Sequence, residues 1–143
     1  MKMNWIAYGL IAAFFFALNT ILYKAAQQKG NFSPNYGILM FAIGVIIVSG
    51  VFFIASPSFQ FEWKSSGLAI ISGAVWAVGM ICVVVAIYQK ADVARLAPIY
   101  NINTILAVLM GIIFLKEIPD SSQMIRVIGG AVLIVVGAIL VSI

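Results

Sequence analysis

The sequence predicts an all-α membrane protein with five transmembrane helices in a single domain that covers residues 1–143. Of its residues 64% are hydrophobic and only 8% are charged, whereas about 25% of the residues of a soluble domain are charged. Charged residues divide the chain into five apolar windows, each able to supply the ~20 residues that cross a bilayer. The windows are apolar on all faces and do not alternate, which disfavours β-strands. We expect helices at residues 4–23, 34–55, 66–89, 93–115 and 122–142.

The residue types argue against most kinds of chemistry. The chain has no histidine, one cysteine (Cys82) in an apolar run, and no pair of acids within a span. We therefore expect no metal site, no cofactor and no catalytic residues, and hence no enzyme. The basic residues are scattered, so a net charge of +4 does not predict a nucleic-acid partner. The first apolar run exceeds a signal-peptide core and lacks a cleavage site, which favours an uncleaved first span.

The first predicted helix combines small residues with a polar position. Gly9, Ala13 and Ala17 lie four residues apart, a spacing that lets helix backbones approach closely in lipid. Asn19 and Tyr23 share another face, because they too are four residues apart. Asn19 either forms a hydrogen bond with a neighbouring helix or lines a polar cavity.

The second and third helices are mostly apolar. Ser33 followed by Pro34 predicts an N-cap and a first helical residue. Trp76 stands in the middle of the third helix, far from the interfaces that tryptophan usually occupies. It either packs inside the bundle or forms a flat wall of a cavity. Asp92 is a plausible N-cap for the fourth helix, and the short turn there predicts an antiparallel hairpin.

The fourth helix carries the strongest functional signal. Pro98 lies inside it and should remove a backbone hydrogen bond and bend the helix. Four side chains that form hydrogen bonds follow directly: Tyr100, Asn101, Asn103 and Thr104. Hydrocarbon offers such groups no partner. We therefore expect them to face a cavity or a partner helix.

The fifth helix contains Gly129, Gly130 and Gly137 and is predicted to be a packing or dimerisation helix.

The charge distribution leaves the orientation of the protein in the membrane undecided. Orientation in the membrane follows the Lys and Arg imbalance between the loops on its two sides. One side would carry Lys2, Lys64, Lys116 and Arg126, and the other Lys24, Lys29, Lys90 and Arg95. Either the chain inserts both ways and pairs as an inverted homodimer, or a partner subunit fixes its orientation.

The segment 66–142 resembles one EamA-type repeat of the drug/metabolite transporter superfamily. The residues that carry the resemblance are Ala86-Ile87-Tyr88, Ala94 with Ala97-Pro98, Gly111, Leu115-Lys116-Glu117, and Gly129-Gly130-Ala131 with Gly137. Residues 11–26 are more loosely similar to the first helix of that family. Members carry two such repeats of opposite orientation. The resemblance therefore implies a half-size protein that forms a ten-helix bundle by pairing with an inverted copy or a homologous half.

The resemblance also implies a site and a function. In the family, helices 1, 3 and 4 line the central cavity, which here implicates Asn19, Trp76, Tyr88, Pro98, Tyr100, Asn101, Asn103 and Thr104. The small multidrug-resistance relatives use a glutamate within the first helix, and no acid lies within a predicted span here. The expected function is therefore transport of small neutral or zwitterionic metabolites by alternating access, as a homodimer in the cell membrane of a prokaryote.

Two alternatives remain open at this stage. A subunit of a lipid or lipid-carrier flippase would have a lateral opening lined by aromatic side chains. A structural or partner subunit that transports nothing would have a dry interior, with Asn101, Asn103 and Thr104 bonded between helices.

Overall fold

The computed structural model describes residues 4–30, 32–56, 61–116 and 121–142, and these residues form helices and connections without a strand. The helices are α1 (Trp5–Gly30), α2 (Pro34–Ala55), α3 (Trp63–Tyr88), α4 (Val93–Tyr100), α5 (Asn103–Phe114) and α6 (Ser121–Ser142). Five helical segments are long and apolar enough to cross a membrane, with α4 and α5 together supplying the fourth. The predicted five-span, all-α fold class is thereby confirmed. The helices divide between Lys90 and Ala91 into two compact units, so the single domain stays a prediction.

Helix α1 is longer than the sequence predicted. The expected end at Tyr23 is wrong, because the helix continues to Gly30. Lys24 marks where the chain becomes polar, but the alanine, glutamine and lysine residues that follow are good helix formers. Gln27, only 3% exposed, holds the end of this extension by donating from its side-chain amide to the Phe32 carbonyl at 3.1 Å.

Local capping sets the starts of α2 and α3. The Ser33 hydroxyl accepts from the Tyr36 amide at 3.5 Å, and α2 spans 34–55 as predicted. Helix α3 begins three residues earlier than predicted, because Glu62 acts as its N-cap. The Glu62 carboxylate accepts from both the amide and the hydroxyl of Ser65. Asp92 occupies the N-cap position of α4 as expected, but its side chain forms no capping bond.

In the first unit, α3 packs against both α1 and α2, and a tight corner joins α1 to α2. The Phe32 ring meets Tyr23 of α1 edge to face at 6.0 Å, and Tyr36 of α2 at the same distance. Gly37 lies beneath this pair, where a Cβ atom would overlap the Tyr23 hydroxyl and the Phe32 ring. That hydroxyl is buried and has no hydrogen-bond partner among the described residues.

In the second unit, α6 packs against α4 and α5. Its buried positions are Ala131 and Ala138, which are 4% and 2% exposed and lie seven residues apart on one face. The expected glycines are not the packing residues within this chain, because a Cβ atom at Gly129, Gly130 or Gly137 would meet nothing within 4 Å. Their role in dimerisation stays a prediction.

Glu117, which belongs to the Leu115-Lys116-Glu117 segment of the family resemblance, lies outside the described residues.

We predict that Gly37→Ala destabilises the protein by roughly 1–3 kcal/mol, because the added methyl group overpacks the corner. The midpoint of thermal unfolding in detergent measures the effect. Gly44→Ala, on the same helix and with open space at its Cβ position, is the matched control and should leave the midpoint unchanged or slightly higher. Adding Tyr23→Phe to Gly37→Ala should restore part of the loss, since it removes the nearest overlapping atom. Equal midpoints for the two alanine variants would contradict this account of the corner.

Candidate functional site

The fourth span is broken where its polar residues lie. The predicted single helix over 93–115 is wrong in this respect: α4 ends at Tyr100 and α5 begins at Asn103. Asn101 and Ile102 form a turn between them. The structure thus replaces the predicted bend at Pro98 with an interruption of the helix, which begins three residues later at Asn101.

The hydrogen bonds around the break explain its position. The Ile102 amide, which a continuous helix would direct at the Pro98 carbonyl, bonds the Ile99 carbonyl at 3.2 Å instead. The Thr104 amide bonds the Asn101 carbonyl at 3.0 Å, and the Ile105 amide bonds the Ile102 carbonyl at 3.1 Å. These are bonds between residues three apart, as in a 3₁₀ turn. Proline favours such a change, because its ring crowds the preceding turn and it has no amide hydrogen.

Uncharged polar side chains surround the break. Asn101, Asn103 and Thr104 are exposed, and Tyr100 is half-buried. The Thr104 hydroxyl donates to the Asn103 side-chain carbonyl at 3.5 Å, the upper limit for such a bond. Asn101 forms no side-chain hydrogen bond within the described part of the chain. The break therefore presents side-chain donors and acceptors, those of Asn101 above all, that form no hydrogen bond with the described residues.

The first unit carries the other predicted site residues. Asn19 is half-buried in α1 and forms no side-chain hydrogen bond with the described residues. Both alternatives for Asn19, a bond to a neighbouring helix and a place in a polar cavity, stay predictions. Trp76 is 45% exposed and Tyr88, the last residue of α3, is 43% exposed. No hydrogen bond or ring contact joins these three side chains in the described structure. Their assignment to a common site stays a prediction.

Sequence reasoning missed one aromatic contact. The Phe41 ring of α2 packs against the Trp76 indole, with ring centroids 5.6 Å apart and planes tilted by 32°. The sequence predicts that Trp76 either packs inside the bundle or forms the wall of a cavity, and neither alternative names the residue that contacts it. No local signal identifies Phe41, because α2 is apolar on all faces and its phenylalanines look alike in the sequence.

The chemistry available at the break is hydrogen bonding without charge. No group of His, Cys, Asp and Glu side chains suited to a metal ion occurs in the described residues. Asparagine side chains both donate and accept hydrogen bonds, and threonine does the same through one oxygen. Such groups fix the orientation of a neutral polar ligand, and a discontinuous helix inside a membrane is tolerated where it lines a cavity.

Comparison with known proteins identifies a family whose model matches almost the whole chain. A model of the family described as "Sugar transport protein" matches residues 2–143. A putative sugar uptake protein of Listeria monocytogenes is 29% identical over 140 residues, which are 98% of this chain and 49% of that protein. A probable glucose uptake protein of Staphylococcus aureus is 26% identical, over 99% of this chain and 59% of its own length. No solved structure matches the chain.

The relatives differ in length. This chain spans about half of the Listeria uptake protein. An uncharacterized protein of Methanocaldococcus jannaschii is 30% identical over 94% of this chain and 93% of its own length. The family model covers residues 2–143, and the five apolar spans of the structure agree with a protein that crosses the membrane several times. The chain therefore belongs to the sugar transport protein family.

Proposed function

We propose that the chain is one half of a cell-membrane transporter for sugars, and that the broken fourth span holds part of the substrate site. The observation that carries this proposal is the placement of Asn101, Asn103 and Thr104 at the break between α4 and α5. Polar side chains within an apolar span are costly unless something other than lipid bonds with them. A substrate with many hydroxyl groups can do so.

The chemistry of the site suits a neutral substrate. Each sugar hydroxyl can donate and accept, and so can each asparagine amide. All four acidic residues of the sequence, Glu62, Asp92, Glu117 and Asp120, lie outside the predicted spans. The names of the Listeria and Staphylococcus relatives, sugar uptake and glucose uptake, support the same substrate class for this chain. Glucose is therefore the first substrate to test.

We further propose that a second copy of the chain, inserted in the opposite orientation, completes the transporter. The Listeria relative is about twice as long as the matched segment, whereas the archaeal relative is of similar length to this chain. Two inverted five-helix units also correspond to the drug/metabolite transporters that the sequence resembles. Alternating access would then follow from rocking of one unit against the other around a fixed site. The balanced Lys and Arg distribution permits both orientations.

We predict that Asn101→Leu and Asn103→Leu each lower glucose uptake into proteoliposomes by about tenfold, the loss expected for one or two hydrogen bonds to substrate. The midpoint of thermal unfolding in detergent should stay near that of the unmodified protein, because Asn101 makes no side-chain hydrogen bond within the described chain.

Ile102→Leu is the matched control, since it changes shape at the same break without changing polarity, and it should retain uptake. Unchanged uptake in both asparagine variants would refute a substrate site at the break.

We predict that a reporter fused to the C-terminus is found on both sides of the membrane, and that two lysine variants shift its distribution in opposite directions. Lys90 and Lys116 follow α3 and α5 in the left-handed backbone region, with φ of 71° and 56°. Asparagine tolerates that region, so Lys90→Asn and Lys116→Asn remove charge with little strain. Fewer positive charges on one side disfavour it as the cytoplasmic side.

Lys90→Asn should therefore increase the fraction with an external C-terminus, and Lys116→Asn should decrease it. A single orientation that neither variant alters would contradict an inverted copy as the second unit.

A further inference from the structure

Trp76 lies on the packed face of α3, not on a face turned wholly outward. Ile87 follows it by eleven residues, about three helical turns, so the two share a face. Ile87 and the neighbouring Val84 are each only 1% exposed, whereas Trp76 is 45% exposed. Val75 and Val78, on other faces of the same region, are 66% and 62% exposed. Trp76 therefore lies on the packed face of α3 at a position where that face is partly exposed.

Phe41 packs against the indole of Trp76. The ring centroids lie 5.6 Å apart and the ring planes are tilted by 32°, a separation within the range of favourable aromatic pairs. Trp76 remains 45% exposed beside this contact. The pair thus forms an aromatic surface that joins α2 and α3, and its indole remains accessible.

Trp76 has no role as an interfacial anchor. Trp5 and Trp63, the first residues of α1 and α3, are 80% and 82% exposed and suit the ends of a span. Trp76 lies thirteen residues into α3, near the middle of the apolar segment. Its indole N–H has no hydrogen-bond partner among the described residues. A donor at this depth requires a partner, and lipid chains provide none.

We propose that Trp76, supported by Phe41, binds the apolar face of a hexose in its ring form and so selects ring-form hexoses against open-chain polyols. A pyranose ring has C–H groups on its faces and hydroxyl groups around its rim. The electron-rich indole face attracts the C–H groups, and the indole N–H can donate to a rim hydroxyl. An open-chain hexitol has more hydroxyl groups than ring-form glucose but no rigid face. This inference rests on the proposed sugar transport and adds the residue that sets specificity.

The first test uses the fluorescence of Trp76 itself. Trp5→Phe combined with Trp63→Phe leaves Trp76 as the single tryptophan of the full chain in detergent. Glucose should change its emission in a saturable way, and mannitol at the same concentration should not. Equal responses to glucose and mannitol, or no response to either while glucose is still transported, would overturn the proposal.

The second test compares selectivity in transport. In proteoliposomes, the ratio of inhibition by unlabelled glucose to inhibition by mannitol should fall about fivefold in Trp76→Leu, the size of one lost stacking contact. The ratio for Trp76→Phe should lie between those of Trp76→Leu and the unmodified protein, because phenylalanine keeps an aromatic ring but lacks the N–H donor. Val78→Leu, on an exposed face of the same helix, is the control and should retain the ratio.

The outcomes separate this inference from the proposed function. Glucose uptake with an unchanged ratio in Trp76→Leu would overturn the aromatic surface as a specificity determinant and leave sugar transport standing. Failure of the unmodified protein to take up or bind any sugar would overturn sugar transport itself, and this inference with it. If Trp76→Leu does not fold, the fluorescence comparison in the folded double variant still decides the question.

Discussion

The fold depends on one constraint: hydrocarbon offers no hydrogen-bond partner to a polar group. Backbone amides and carbonyls within a span must therefore bond within the span, and the helix is the structure that achieves this locally. α1, α2, α3 and α6 satisfy this constraint as continuous helices. The fourth span also keeps these amides bonded within the span, but it leaves the continuous helix at Asn101 and Ile102. This interruption coincides with the densest group of polar side chains in any predicted span, and the proposed substrate site rests on that coincidence.

Pro98 and the asparagines contribute differently to that break. Proline removes one donor and crowds the turn before it, which weakens a helix without specifying what replaces it. The replacement is a short run of bonds between residues three apart, from Ile99 to Ile105. Asparagine side chains then stand at the end of one half-helix and the start of the next. Discontinuous helices of this kind occur in transporters where backbone ends and side chains coordinate a substrate.

The proposal of uncharged substrates rests on two independent observations: the chain belongs to the sugar transport protein family, and its four acidic residues lie outside the predicted spans. Hydrogen bonds from amides orient a hydroxylated molecule, but they distinguish poorly among molecules with similar numbers of hydroxyl groups. A flat aromatic surface adds discrimination by shape, because only a ring-form sugar presents a rigid C–H face. The Trp76–Phe41 pair joins α2 and α3 through a contact between aromatic rings.

The sequence by itself determined the features that depend on short stretches of chain. Hydropathy determined five spans, and the Ser33-Pro34 pair determined where α2 begins, because apolar length and capping are local properties. The grouping of Tyr100, Asn101, Asn103 and Thr104 was equally visible. Only the tertiary structure decided that α1 continues to Gly30, that the fourth span breaks after Tyr100, and that Phe41 packs on Trp76. Helices that are apolar on every face carry no periodic signal for which side packs, so their contacts depend on the fit between helices.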